Sequence, residues 1–279
     1  MADRPRRDRR PTTAKPGRAD AGRGKPAKRE APAPRPAETP AAHAVPGHHP
    51  VAEALRAGRA LREVLVERLD GNEEILELAR GRKVPVRRVA REELDAAAQG
   101  VLHQGVVAVA PPFAYVDLHQ AATGDLVVVL DGVTDPQNLG AIARSAEAAG
   151  ARGLVLPKRR SAHVTAAAEK AAAGALSWLP VALVPNIVRA LEELAERGFW
   201  SVGLAGEAGS ALWDSGLLDG KVALVVGAEG GGLSRLVQER VDERLQIPMT
   251  GHAESLNASA AAAIALFEIA RRRHQRTDI

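Results

Sequence analysis

The chain of 279 residues contains no cysteine. That absence removes disulfides, thiolate metal sites and a sulfur nucleophile from consideration. With them go the enzymes that methylate a pyrimidine carbon of nucleic acid through a covalent cysteine adduct. Aromatic residues are scarce too: three Trp, three Phe and one Tyr. A platform of rings on which RNA bases stack is therefore not the main mode of any nucleic-acid contact. The eight His show no HExxH or related spacing, which argues against a metal site. No apolar run approaches the roughly 18 residues that span a bilayer. Nor does an apolar stretch follow Met1 as in a secretion signal. The expectation is a cytoplasmic protein with neither metal nor membrane partner.

Charge is present but unevenly placed. Residues 1–42 hold 12 Lys/Arg against 5 Asp/Glu, a net of +7, whereas residues 43–279 hold 26 against 29, a net of −3. The pI of about 9.7 thus belongs to the amino-terminal tail. Those first 42 residues also include eight Pro and no Val, Ile, Leu, Phe, Trp or Tyr. Such a segment buries too little apolar surface to offset its ordering entropy, so residues 1–44 are expected to be a disordered basic tail. Its acidic residues and scattered prolines argue against a transit peptide. A basic arm adding salt-dependent affinity for RNA and a merely solvated extension are both consistent with it.

Beyond the tail, short helical and strand patterns alternate. Helix near Pro50, strand Val64–Val66, helix Glu73–Arg80 stopped by Gly81, strand Val84–Val89, helix Arg91–Ala98 and strand Val106–Ala110 make a small α/β unit over 45–111. Pro111-Pro112 opens a linker through residue 123. From 124 to 279 the pattern lengthens. Leu126–Leu130, Gly153–Leu156, Trp200–Leu204 and Val222–Val226 are near-continuous apolar runs, as in parallel strands covered on both faces. Helical stretches lie between them at about 139–149, 164–173, 187–197 and 233–239. A last helix over roughly 256–273 places Leu256, Ala260, Ala263, Phe267 and Ala270 on one face. The fold class is α/β, and the strand–helix alternation by itself suggests an open doubly wound sheet.

Three segments carry more polar chemistry than folding requires. In Asp131–Ala146, Asn138 precedes a helix and Gly150 follows it, so capping accounts for both on the simplest reading. Arg144 projects about 200° away from Ile142, taking 100° per residue, and so points off the buried stripe. In the second, Gly227-Ala228-Glu229-Gly230-Gly231-Gly232 follows a strand and opens a helix. Glycines there let a ligand approach the backbone. The spacing is neither the dinucleotide fingerprint nor a phosphate loop. Glu229 disfavours a phosphate on that turn, and a neutral or cationic ligand with an adenosine-like body fits better. In the third, Glu254-Ser255-Leu256-Asn257 opens the final helix, where Ser or Glu suits an N-cap. That three strand-end loops all carry surplus polar groups points to a shared ligand site.

Taken together, Asn138-x-Gly140-Ala141-Ile142-x-Arg144-x-Ala146, Gly227-x-Glu229-x-x-Gly232, and Ile247-Pro248 with Ser255-Leu256-Asn257-x-Ser259 resemble the three motifs of the SpoU (TrmH-like) RNA ribose 2′-O-methyltransferases. The likeness covers about residues 124–274. Ala258 departs from the Val usual at that place, a small apolar-for-apolar change. Residues 45–111 resemble the family's amino-terminal substrate-binding domain, related to a ribosomal-protein fold. The likeness is strongest to the bacterial enzymes that methylate a guanosine ribose in the peptidyl-transferase loop of 23S rRNA.

The resemblance implies more than the pattern yields. It implies a carboxy-terminal trefoil knot, S-adenosyl-L-methionine as methyl donor, RNA as partner and a homodimer with its sites near the interface. Gly227, Ile247 and Leu256 would hold the adenosine part of the donor. Arg144 would lie at the ribose 2′-hydroxyl, with Asn138, Glu229, Ser255 and Asn257 orienting it, the nucleotide and the donor. Lys158-Arg159-Arg160 is a further candidate RNA contact. A transfer-RNA substrate within the same family, and a non-catalytic ribosome-assembly factor that kept the fold, are the alternatives. The joint presence of Arg144, Glu229, Ser255 and Asn257 speaks against the latter.

Overall fold

The computed structural model describes residues 42–277, so nearly all of the expected basic tail lies outside the described residues. The amino-terminal module runs β1 (His43–Pro46), α1 (His48–Arg56), β2 (Glu63–Val66), α2 (Glu73–Arg82), β3 (Val86–Arg88), α3 (Arg91–Ala97) and β4 (Val106–Ala110). Its four strands are ordered β1-β4-β2-β3, with β4 antiparallel to both neighbours and β2 parallel to β3. Val45, Val64, Val66, Val106 and Ala108 on one face pack against Val51, Leu55, Ile75 and Ala79 of α1 and α2. Gly81 does not stop α2. The helix continues to Arg82 and ends on Lys83 in the left-handed region. One isolated glycine costs a helix only about 1 kcal/mol relative to alanine.

The stretch 112–123 is not a free linker. Val116 bridges to Ala182 in the neighbouring sheet, and α4 (Leu118–Ala121) is closed by a reciprocal capping box between Asp117 and Gln120.

The carboxy-terminal module then runs β5 (Leu126–Asp131), α5 (Pro136–Ala148), β6 (Gly153–Pro157), α6 (Ala166–Ala172), β7 (Val181–Val184), α7 (Ile187–Ala195), β8 (Trp200–Leu204), β9 (Ser210–Ala211), β10 (Val222–Gly227), α8 (Arg235–Arg240), β11 (Glu243–Gln246) and α9 (Ala258–Thr277). Its seven strands are ordered β7-β6-β5-β10-β8-β11-β9, and every pairing is parallel. Strand β5 shows why its sequence is apolar throughout. Leu126, Val128 and Leu130 enter one core with α5 and α9, while Val127 and Val129 enter the other with α7. The four apolar runs read from the sequence are all strands of this sheet. β7, β9 and β11 lie outside those four runs.

The apolar stripe expected on α9 is not its core face. Ala258, Ala262, Ala265, Leu266 and Ile269 are buried, whereas Phe267 is 52% exposed and Leu256 precedes the helix. A helix this rich in alanine carries two apolar faces, and periodicity alone does not say which one meets its own core.

Helix α6 joins the modules. Its Ala166 sits in the second core cluster of the amino-terminal sheet, beside Ala44, Leu65 and Val107. On its other side it lies hard against α5. A Cβ on Gly140 would come within 2.4 Å of the Ala168 carbonyl oxygen and 2.6 Å of Ala171 Cβ.

Candidate active site

The first motif is built on the entry to α5. Asp135, not Asn138, is the N-cap: its Oδ1 accepts from Gln137 N at 2.9 Å, and Pro136 occupies the first helical position. Asn138 therefore lies inside the first turn, with its side chain released from capping. At the far end the helix closes as the sequence suggested. Gly150, at φ +82°, donates to Glu147 and Ala151 donates to Ala146 in a Schellman arrangement.

The second motif leaves the end of β10. Ala228 and Gly232 exchange backbone hydrogen bonds at 2.9 and 2.8 Å, which pinches the glycine stretch into a tight loop. Gly230 and Gly232 adopt φ of +70° and +61°, a region that side chains rarely enter. Gly227 has no room for anything but hydrogen, because a Cβ there would lie 2.2 Å from the Gly232 carbonyl carbon. Asp131, at the end of β5, accepts from Ser234 N at 2.6 Å and ties the loop to the neighbouring strand.

The third motif is the segment before α9. Neither Glu254 nor Ser255 caps the helix, contrary to the simplest reading. Asn257 does, its Oδ1 accepting from Ser259 N at 2.9 Å and Ala260 N at 3.3 Å. The other half of the Asn257 amide faces away from the helix.

That half completes a three-membered polar cluster. Asn138 Nδ2 donates to Glu229 Oε1 at 2.9 Å, and Asn257 Nδ2 donates to Asn138 Oδ1 at 3.0 Å and also to Glu229. Every donor meets an acceptor. Three loops separated by 91 and 28 residues are thereby joined by side chains alone.

Beside the cluster lies a cavity of about 250 Å³, lined by Gly227, Glu229, Ile247, Ser255 and Leu256 among others. Five of the eight expected site residues thus line one cavity, and Asn138 and Asn257 are bonded to one of them. Reasoning from the motifs missed Leu204, Ala205 and Gly206, which wall the same cavity. Their position at the end of an apolar strand run was the available signal. The walls include Leu204, Val226, Ile247, Met249 and Leu256. The charged lining residues are Glu229 and Glu254, both carboxylates. An apolar body bearing positive charge suits that lining, and an anion does not.

Arg144 stands apart. It lies six residues beyond Asn138 on α5, about 9 Å further along the axis and about 120° around it by helix geometry. It is exposed, with no hydrogen-bond or ion-pair partner among the described residues. Lys158, Arg159 and Arg160 are exposed as well, on a loop whose Ala162 N donates to Val133 O at 2.8 Å, just before α5. Among the described residues, no three His, Asp or Glu side chains gather as a metal site would need.

The profile of the SpoU rRNA methylase family matches residues 125–267, which span all three motifs. The chain belongs to the SpoU methylase family. A second profile, for RNA 2′-O ribose methyltransferase substrate binding, matches residues 44–116. A 23S rRNA (guanosine-2′-O-)-methyltransferase of Pseudomonas putida, RlmB, is 44% identical over 208 residues, covering 72% of this chain and 83% of its own length. A Staphylococcus haemolyticus protein placed in the TrmH family of tRNA/rRNA methyltransferases is 38% identical over 236 residues, covering 81% and 94%. Among solved structures, the SpoU methyltransferase AviRb of Streptomyces viridochromogenes, in complex with AdoMet, superposes with a TM-score of 0.72 at 29% identity, covering 83% of this chain and 90% of that one.

Proposed function

We propose that this SpoU-family chain transfers a methyl group from S-adenosyl-L-methionine to the ribose 2′-hydroxyl of a guanosine in 23S rRNA. The observation that carries the reading is the Asn138–Glu229–Asn257 cluster at the edge of a cavity whose charged lining residues are carboxylates. The donor is an adenosine bearing a sulfonium, apolar in its ring and positive at the reacting centre. Its chemistry matches the apolar walls and the carboxylates. In this reading Gly227, Ile247 and Leu256 hold the adenosine, and Ser255 with the cluster fixes the donor and the incoming nucleotide. S-adenosyl-L-methionine supplies the methyl group and the sulfur leaving group.

The rest falls to the residues. Transfer needs oxygen, carbon and sulfur aligned and the hydroxyl proton removed. Arg144 is a poor base because arginine stays protonated. Its task is to stabilise the developing alkoxide, with a substrate phosphate accepting the proton. Its place on a different face of α5 from Asn138 supports a homodimer in which Arg144 serves a site close to the interface. The exposed apolar face of α9, with Ile264 and Phe267, is suited to such contact. Residues 45–111 capture RNA, 112–123 connect, and 124–279 carry out transfer. The trefoil knot implied by the motifs is part of the same proposal.

The guanosine of 23S rRNA is preferred over transfer RNA because the RlmB relative acts on it and a separate substrate-binding module is present. The test is to incubate the chain with labelled S-adenosyl-L-methionine and either RNA. Label on a guanosine ribose of 23S rRNA is expected. Label confined to transfer RNA would overturn the substrate assignment.

A further inference from the structure

We propose that Glu169, held between His43 and Arg59, is a positioning residue that locks the amino-terminal module onto α6. It thereby fixes the angle at which captured RNA is presented to α5. The inference rests on the reading that residues 45–111 capture RNA.

Glu169 lies on α6 and its side chain is wholly inaccessible. One carboxylate oxygen takes both partners: His43 Nε2 lies 2.7 Å away and Arg59 Nη1 donates at 2.7 Å. His43 begins β1 and Arg59 follows α1, so both belong to the opposite module. The connecting segment closes the chamber. Phe113 lies 5.1 Å beneath the Arg59 guanidinium and 5.9 Å from the His43 ring, and Tyr115 packs edge-on against Phe113 at 5.0 Å.

This is a costly way to glue two modules. Arg59 Nη2 and Glu169 Oε2 are buried without a hydrogen-bond partner. Apolar side chains of similar volume commonly hold an interface as well as a buried ion pair does. What the pair adds is register. Two donors at 2.7 Å from a single oxygen admit one placement of β1 and α1 relative to α6, whereas apolar surfaces slide. Two further contacts cross the same boundary: Lys170 Nζ donates to Gln104 at 2.7 Å and Trp178 Nε1 to Glu53 at 2.8 Å. Both are exposed and screened by solvent.

The placement is transmitted without slack. The opposite side of α6 meets α5 at Gly140, where backbone touches backbone. The RNA-capturing module is therefore held at one angle to the helix that bears Asn138 and Arg144, which itself stays in place when the lock is loosened.

The absence of native cysteine makes the test direct. Spin labels on Leu69→Cys and Leu236→Cys, both at exposed positions in the two modules, report their separation in the full chain without RNA or donor, mixed with excess unlabelled cysteine-free protein so that any dimer carries one labelled copy. One narrow distance is expected. Glu169→Gln, which keeps the shape and removes the charge, is expected to broaden it. The same variant should raise KM for RNA about tenfold while kcat and donor affinity stay within about twofold, the pattern of lost ground-state binding geometry. Arg59→Met tests the lock from the other module and decides the matter if Glu169→Gln fails to fold. A distance as narrow as wild type with unchanged KM overturns the proposal, and so does a fall in kcat at unchanged KM. Should the wild-type chain methylate no RNA, the function reading falls, and the distance measurement alone still decides the lock.

Discussion

Asn138 and Glu229, 91 residues apart, share a hydrogen bond of 2.9 Å that joins the first turn of α5 to the glycine loop after β10. Asn138 is buried, yet its amide bonds another polar side chain instead of the helix whose first turn it occupies. A side chain bonded to a carboxylate contributes about 1.5–3 kcal/mol. Asn138→Ala and Glu229→Ala are therefore each expected to lower the rate of methyl transfer by about 10- to 100-fold. The double variant should fall well short of the product of the two single losses, because each dismantles the same three-membered cluster. Single-turnover transfer kinetics checks this, and additive losses would show the two acting separately.

Gly227 and Gly231 give a paired test of the donor site. At Gly227 an added methyl meets the backbone of Gly232 and Leu233 within 2.5 Å, whereas at Gly231 nothing lies within 4 Å. Gly227→Ala should displace the loop and weaken binding of S-adenosyl-L-methionine at least about tenfold, since overpacking against backbone costs about 1–3 kcal/mol. Gly231→Ala should leave affinity within about twofold, as for a surface change free of such features. Calorimetric titration with the donor distinguishes them.

Arg144 makes no hydrogen bond or ion pair among the described residues, so its removal should be silent in thermal unfolding. Arg144→Ala is expected to unfold within about 1 °C of wild type, as surface substitutions do. Methyl transfer should nevertheless fall by about 100-fold or more, the usual effect of losing one donor to a developing oxyanion. Arg144→Lys keeps the charge and loses the planar fork, and should recover only part of the rate. Full activity in Arg144→Lys would mean that charge alone suffices.

Acid stability should depend on Glu268. Bidentate contacts from Arg271 at 2.8 Å, reinforced by Arg272 at 2.7 Å, lower its carboxyl from the ordinary 4.5 to about 2. A carboxylate that holds its charge more tightly when folded stabilises the protein fully above about pH 5. That stabilisation is lost as pH falls towards 2. Urea denaturation between pH 5 and pH 2 should show this loss in wild type and a shallower slope in Glu268→Gln. Equal slopes would remove Glu268 from the account.

The strands of the sheet interior were legible because burial on both faces forces continuous apolar sequence, as in Leu126–Leu130 and Val222–Val226. β11 was not, since in Glu243-Arg244-Leu245-Gln246 only Leu245 is buried and pairing with β8 supplies the rest. The candidate site residues were legible as motifs, but the local roles of two of them were not. Asn138 has the chemistry of a cap and directly precedes the apolar stripe, but Asp135 and Pro136 start α5 three residues earlier. Asn257 proved to be the cap for which Ser255 and Glu254 were candidates. Spacing shows that polar residues cluster at chain turns, and only the fold decides which of them the helices consume. The α9 stripe failed for a related reason: alanine marks no preferred face.

The most direct measurement is the position and chemistry of the methyl group. 23S rRNA transcripts treated with the chain and isotope-labelled S-adenosyl-L-methionine, digested and read by mass spectrometry, should yield one guanosine methylated on the ribose oxygen. Glu229→Ala should yield far less. Label on a base, or no label on the RNA while the donor is demonstrably bound, would contradict the assignment.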